Sequence, residues 1–121
     1  LLISPQPVQA PIVVVLSATG PAGSAAPASF VASISADGRA LVTRPLVQVG
    51  LQPDRALELW AIPAGGAPRS LGLISASGAT VLQKRQALEG ADTLAVSLEP
   101  AGGSPTGAPT GPVLYAGKLT L

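Results

Sequence analysis

The stretch Ser29–Arg44, SFVASISADGRALVTR, decides the fold class of this chain. It contains two runs of β-branched and apolar residues that are separated at Asp37–Gly38. An Asp-Gly pair between two such runs is a strong short-range signal of a β-hairpin, because both turn residues must accept positive φ angles. The stretch therefore predicts two antiparallel strands, Ser29–Ser35 and Arg39–Arg44.

Further runs of the same kind lie on either side of this hairpin and extend the prediction to an all-β chain. Each run is short and rich in Val, Ile and Leu, and turn residues lie between the runs. The 13 prolines and 14 glycines are spread along the whole chain, which disfavours long helices. We therefore predict a β-sandwich or an irregular barrel of about eight short antiparallel strands. The remaining predicted strands are Pro11–Thr19, Ala56–Ile62, Ser70–Ile74, Thr80–Gln83, Thr93–Leu98 and Val113–Leu121.

Several finer expectations follow from the same patterns. The first strand, Pro11–Thr19, is almost wholly apolar, and we expect both of its faces to be buried. Ser70–Ile74 and Thr80–Gln83 are expected to be the two arms around the turn that joins them. Lys84–Asp92 is the only stretch with helical character, for one or two turns at most. The last strand, Val113–Leu121, is expected to be an edge strand that could pair with a second copy of the chain.

Two of the predicted strands alternate clearly between apolar and polar residues. One face of each such strand is expected to pack in the core. In Ala56–Ile62 the opposite face carries Glu58 and Trp60. The residues expected to face the core are Leu57, Leu59 and Ala61 in this strand, and Leu94, Val96 and Leu98 in the later one.

Composition argues against several classes of function. A chain of 121 residues fits one domain, and a net charge of +1 with three aromatic residues offers nucleic acid neither a basic field nor a stacking platform. The absence of His and Cys removes the usual zinc and copper ligands and the Ser-His-Asp triad. The longest apolar stretch, Ile12–Leu16, is far shorter than the roughly 20 residues that span a bilayer. We therefore expect no nucleic-acid partner, no metal, no cofactor and no catalytic activity.

Two longer motifs resemble those of a known family. The first is ELWAIPAGGAP at Glu58–Pro68, and SLGL follows it. The second is LAVSLEPAGGSPTG at Leu94–Gly107, and PTGPVL follows it. Together they closely resemble the C-terminal domain of the anti-sigma-K factor (RskA-like) family, over roughly residues 12–120. The motif residues, for which we expect a structural role, are Glu58, Leu59, Trp60, Pro63, Gly65, Gly66, Pro68, Glu99, Pro100, Gly102, Gly103, Ser104, Pro105, Gly111 and Pro112.

The resemblance implies a regulatory domain on the periplasmic or cell-surface side of the inner membrane. In such a protein, a cytoplasmic segment binds an extracytoplasmic-function sigma factor, and one helix crosses the membrane. Successive proteolysis, first outside the membrane and then within it, releases the sigma factor. The implied partners are an extracytoplasmic protease or signal protein, whereas the sigma factor and the membrane are contacted through segments outside these 121 residues. Residues 1–11 are expected to be a juxtamembrane linker, and residues 12–121 the domain.

The chemically capable side chains of the motifs admit two interpretations each. Trp60, the sole tryptophan, is expected to anchor packing, but an exposed Trp60 could form a glycan-binding face with Tyr115. Glu58 and Glu99 are expected to accept hydrogen bonds from backbone N–H groups in the Gly-Gly loops. The alternative is a paired general acid and base, as in a hydrolase. The competing function is therefore an extracellular β-sandwich that binds a protein partner or a glycan.

The Gly-rich loops of the motifs also carry expectations. Gly65–Gly66 and Gly102–Gly103 are expected to supply positive φ angles in tight turns. The segment Ser104–Pro112, within the predicted long loop Pro100–Pro112, is either accessible to a protease or partner, or a connector pinned by its prolines.

Overall fold

The computed structural model describes residues 12–19, 27–83 and 88–119 of the chain. These described ranges contain eight β-strands and no helix. All pairings between neighbouring strands are antiparallel, which confirms the predicted all-β fold. The strands are β1 (Ile12–Ala18), β2 (Ala28–Ile34), β3 (Ala40–Pro45), β4 (Arg55–Pro63), β5 (Arg69–Ile74), β6 (Thr80–Gln83), β7 (Ala91–Pro100) and β8 (Val113–Lys118).

The eight strands form one sheet in the order β5-β4-β7-β8-β1-β2-β3-β6. The two end strands, β5 and β6, are consecutive in the chain and lie beside each other where the sheet curls round. The N–H of Ser75, just after β5, donates to the hydroxyl of Thr80 in β6 over 2.8 Å. A β-carbon built on Gly72 of β5 would lie 3.3 Å from the Leu82 side chain of β6. The sheet is therefore a nearly closed barrel, so that of the two predicted architectures the barrel is the one that forms.

The hydrophobic core lies inside the barrel and takes one face of the strands that surround it. Leu57 and Leu59 of β4 are fully buried, as are Leu94 and Val96 of β7. The alternation read from the sequence therefore assigned these faces correctly. Other described members of the core are Val14, Leu16, Phe30, Ala32, Ile34, Leu41, Ala61, Leu71, Ile74 and Ala91.

Strands β2 and β3 form the predicted hairpin, but five residues join them rather than two. The N–H of Ser35 donates to the carbonyl of Ala40 over 2.9 Å and closes the turn. Asp37 Oδ1 accepts the Ser35 hydroxyl at 2.5 Å and the Arg39 N–H at 3.1 Å, and Gly38 has a φ of +72°. The Ser35 hydrogen bond, followed by that of Arg39, holds the pKa of Asp37 below its ordinary value.

Three of the finer expectations are wrong. β1 buries only one face, because Val13 and Val15 lie 57% and 48% exposed on the outside of the barrel. β5 and β6 share no ladder, since each has already paired with an earlier strand, β5 with β4 and β6 with β3. The expected edge strand, β8, lies between β7 and β1, so that it has a neighbour on both sides.

Part of the expected helical stretch and the expected linker lie outside the described residues. Residues 84–87 and 1–11 belong to the ranges that the structure does not describe. The described end of the helical stretch is not a helix, since Leu88 to Gly90 form a turn and Ala91 begins β7.

Candidate functional site

The two family-like motifs lie on paired strands. β4 and β7 pair along their whole length, and Glu58 lies directly opposite Ser97. Because side chains alternate along a strand, Trp60 and Glu99 share the outer face of the sheet with these two residues. The fold thus brings together, outside the core, residues that lie about forty positions apart in the sequence.

The connection from β7 to β8 folds back over this outer face. We call this segment, residues 101–112, the strap. Adjacent antiparallel strands need only about two to five connecting residues, whereas the strap has twelve. The N–H of Ala101 donates to the carbonyl of Asp54 over 2.9 Å, and the N–H of Leu98 donates to the carbonyl of Pro112 over 3.0 Å. Both ends of the strap are therefore tied to the backbone of the barrel.

Glu58 is the first side chain that fastens the strap. The residue is 7% exposed, and its carboxylate Oε1 accepts the N–H of Ser104 over 2.7 Å. Oε2 accepts the hydroxyl of Ser70 on β5. Gly103 has a φ of +99°, and a β-carbon built there would lie 3.1 Å from Glu58 Oε1. A glycine at this position thus lets the strap backbone approach the carboxylate closely.

Glu99 is the second side chain that fastens the strap, and it is fully buried. Its carboxylate accepts the hydroxyl of Thr110 at 2.5 Å, the N–H of Thr110 at 3.1 Å and the N–H of Gly111 at 3.3 Å. It also accepts the hydroxyl of Ser97 at 2.5 Å. Burial by itself would raise the pKa of Glu99, but these hydrogen bonds outweigh it and hold the pKa below its ordinary value. Hydrogen bonds from neutral donors thus favour the ionised form of the Glu99 carboxyl group.

Trp60 completes a buried hydrogen-bonded chain on this face. Its indole N–H donates to Ser97 Oγ over 2.8 Å, and the Ser97 hydroxyl in turn donates to Glu99. Trp60 is 0% exposed although it lies on the outer face of β4. A side chain on that face is buried only when another segment covers it, and the strap reaches this face on both sides through Ser104 and Thr110. The strap is thus tied by hydrogen bonds to the same outer face on which Trp60 is buried.

These contacts decide between the interpretations that the sequence left open. Trp60 anchors packing, as expected, and it is too deeply buried to form an exposed glycan-binding face. Tyr115 is half-buried and packs against Phe30, with 5.2 Å between the ring centroids. Glu58 accepts the N–H of Ser104, directly after the Gly102–Gly103 pair, as predicted. The backbone donors to Glu99 belong to Thr110 and Gly111 and lie outside the Gly-Gly loops. The arrangement therefore fastens a loop and leaves these carboxylates little access to a substrate.

Sequence reasoning missed three hydroxyl groups of this site. Ser97 lies two residues before Glu99, so alternation alone could have placed both on one face. No sequence signal identifies Ser70 or Thr110 as partners of the carboxylates, because the barrel brings them together over eleven or twelve residues of chain.

The Gly-rich motif residues mostly behave as expected. Gly65, Gly102 and Gly103 have positive φ angles, which confirms their predicted role in tight turns. The same prediction is wrong for Gly66, whose role is steric, since a β-carbon built there would lie 2.6 Å from the Pro63 ring. The other motif residues lie in β4 (Leu59), in the β4–β5 turn (Pro68), at the end of β7 (Pro100) and in the strap (Pro105 and Gly111).

No group of three or more His, Cys, Asp or Glu residues in residues 12–19, 27–83 and 88–119 could hold a metal ion. Over the same residues there is no helix with the length and apolar character needed to cross a membrane.

The fold and the site define a small antiparallel β-barrel domain with a long loop fastened over its outer face. The chain belongs to the family described as anti-sigma-K factor rskA, C-terminal, whose model matches residues 2–113. It is accordingly a domain of the anti-sigma factor class, a class of regulators that act on sigma factors. The match ends at Val113, the first residue of β8. Comparison with curated proteins gave no match, and comparison with solved structures gave none either.

Proposed function

We propose that this domain is the extracytoplasmic regulatory part of a membrane-anchored anti-sigma factor. In this proposal, the parent protein inhibits an extracytoplasmic-function sigma factor through a segment outside these 121 residues. Regulated proteolysis of the parent then releases the sigma factor. The observation that carries the proposal is the family match over residues 2–113, which is nearly the whole chain.

The barrel supports this role because it holds its first strand firmly. Residues 12–17 of β1 pair with β2, and Ser17 and Ala18 also pair with β8. The hydroxyl of Thr19 donates to the carbonyl of Val113 over 2.6 Å. Proteases cleave chain that is extended and accessible, whereas a strand inside a folded sheet is protected. In the proposed mechanism, the folded barrel keeps the chain that precedes Ile12 from its protease, and a signal that loosens the barrel permits cleavage.

The first test is transcription from a sigma-dependent reporter in cells that carry the full-length parent. Deletion of residues 12–121, with the anchor retained, is expected to make the reporter constitutive, or to abolish its induction if the domain receives the signal. Either change supports a regulatory role for the domain. A response identical to that of the intact parent would overturn the proposal.

A second test separates folding of the barrel from its surface. Leu59→Ala empties a fully buried position and is expected to destabilise the barrel by about 2–5 kcal/mol. Val81→Ala removes a side chain that is 61% exposed and serves as the matched control. The proposal predicts faster cleavage and higher reporter activity for Leu59→Ala, and parental behaviour for Val81→Ala. Equal cleavage of both variants would contradict the gating mechanism.

The proposed location can be tested with a single cysteine, because the chain has none of its own. Ser77 is exposed in the turn between β5 and β6. In intact cells, Ser77→Cys is expected to react with a membrane-impermeant maleimide, whereas the parent without the substitution gives the background. Labelling that occurs only after the cells are permeabilised would place the domain on the cytoplasmic side.

A further inference from the structure

We propose that residues 101–112 form an acid-releasable strap, which ionised Glu99 holds over Trp60 and which detaches while the barrel stays folded. This proposal deepens the proposed function, since the strap would be a regulatory element of the same domain. It rests on that function only for its role in signalling, because the strap itself can be tested on the isolated 121-residue chain.

The strap is attached to the barrel at its middle and at its two ends. Its central contacts are hydrogen bonds to two carboxylates, from Ser104 to Glu58 and from Thr110 and Gly111 to Glu99. The strap has no charged side chain of its own, so that it forms no ion pair with these groups. An ionised carboxylate accepts hydrogen bonds at both oxygens, whereas a protonated one must donate from one oxygen. Protonation of Glu99 therefore places its O–H against the hydroxyl of Ser97 or the donors of the strap.

Most of the strap lies outside the ladders of the barrel. The ladders that hold β7 run to β4 and to β8, and the backbone of the strap is bonded to the backbone of the barrel at its two ends, Ala101 and Pro112. The main core lies on the opposite face of β4 and β7, among residues such as Leu59 and Val96. Loss of the strap contacts thus opens the outer face and exposes Trp60, while the core keeps its packing.

The strands on either side of Glu99 carry four charged or titratable groups. The strand paired with β7 on one side, β4, carries Arg55 and Glu58, and β8 on the other side carries Tyr115 and Lys118. Lys118 lies at the far end, opposite Thr93. The pKa of Glu99 is held below its ordinary value by the donors named above. Release of the strap accordingly requires acid conditions, and it is complete only at a pH below the ordinary pKa of a glutamate.

The sole tryptophan makes the strap directly observable. In an acid titration of the 121-residue chain, we expect Trp60 emission to shift to the red and acrylamide quenching to rise several-fold. Both changes should occur at a higher pH than the loss of the far-ultraviolet circular dichroism of the sheet. Protection of the Ser104, Thr110 and Gly111 amides against hydrogen exchange should fall over the same range, ahead of the amides in β4 and β7.

Two variants test the assignment to Glu99. Glu99→Gln replaces an acceptor by a group with its own N–H donors, and near neutral pH we expect a quenchable Trp60 with a sheet signal like that of the parent. Glu89→Gln changes an exposed carboxylate in the turn before β7 and should behave like the parent. The proposal is overturned if Trp60 and the sheet respond in one common transition, or if Trp60 stays protected in Glu99→Gln. If Glu99→Gln does not fold, the amide exchange of the parent chain still decides the question.

These outcomes are distinguishable from those of the proposed function. If Trp60 emission and the sheet signal changed in one common transition in the isolated chain, the strap mechanism would be wrong. The reporter experiment would still test the proposed function. An unchanged reporter would remove the regulatory role and leave the acid release of the strap intact.

Discussion

The indole N–H of Trp60 donates to the hydroxyl oxygen of Ser97 over 2.8 Å, and both side chains are fully buried on the outer face of the sheet. The same hydroxyl donates its own proton to Glu99. Ser97 therefore connects the largest buried side chain of the domain with a buried carboxylate. Through Glu99, this chain of hydrogen bonds extends to Thr110 in the strap. Ser97 therefore links Trp60, Glu99 and the strap.

Replacing Ser97 by Ala should destabilise the domain by about 2–4 kcal/mol, because it leaves the Trp60 N–H without its acceptor and Glu99 without a donor. Urea unfolding followed by circular dichroism measures the change. The control is Ser77→Ala, since Ser77 is exposed in a turn, and its effect should stay within about 0.5 kcal/mol. Similar stabilities for the two variants would show that the hydrogen-bonded chain contributes little.

Much of the fold could be predicted from the sequence because its signals are local. The alternation around Trp60 and around Val96 placed their strands and their inward faces correctly. The Asp37–Gly38 pair marked the hairpin, although hydrogen bonds that the Asp37 carboxylate accepts from Ser35 and Arg39 stabilise a longer turn than the pair alone predicts.

The expectations that failed are those that depend on distant partners. Nothing in Ser70–Ile74 shows that β5 pairs backwards with β4, and nothing in Val113–Lys118 shows that two strands enclose β8. The candidate site, too, depends on residues that are distant in the sequence. Its carboxylates could be named from the motifs, but their donors Ser70 and Thr110 depend on how the barrel closes and on how the strap folds back.

The stability of the domain should decrease with acid partly through Glu99. Its pKa in the folded state lies below the ordinary value of 4.5, so between these two values only the unfolded chain binds the proton. Its contribution is therefore complete above the ordinary value and is lost as the pH falls through the folded-state pKa. Urea midpoints between about pH 5 and about pH 3 should fall more steeply for the parent than for Glu99→Gln, and the two curves should converge. Parallel curves would assign the acid dependence to other groups, among them Asp37, whose pKa is also lowered.

Replacing Thr43 by Val should stabilise the domain by about 1–2 kcal/mol. Thr43 is 0% exposed, and its Oγ1 has no hydrogen-bond partner among the residues that the structure describes. Valine has nearly the same shape without the polar group. Thr80→Val is the matched comparison, because the Thr80 hydroxyl accepts the N–H of Ser75 and its loss should destabilise. A destabilised Thr43→Val variant in urea unfolding would mean that the hydroxyl is hydrogen-bonded in solution.

Replacing Gly117 by Ala should prevent normal closure of the barrel between β8 and β1. A β-carbon at Gly117 would overlap the backbone carbonyl of Val15 and would lie 3.0 Å from the Leu16 side chain. Backbone atoms of a paired strand cannot move aside cheaply, so we expect a loss of about 3 kcal/mol or more, or failure to fold. Gly50→Ala is the control, because its added β-carbon would have no atom within 4 Å and its φ is not positive. If thermal unfolding of the two variants gave equal midpoints, β1 and β8 would not approach each other as closely as this barrel requires.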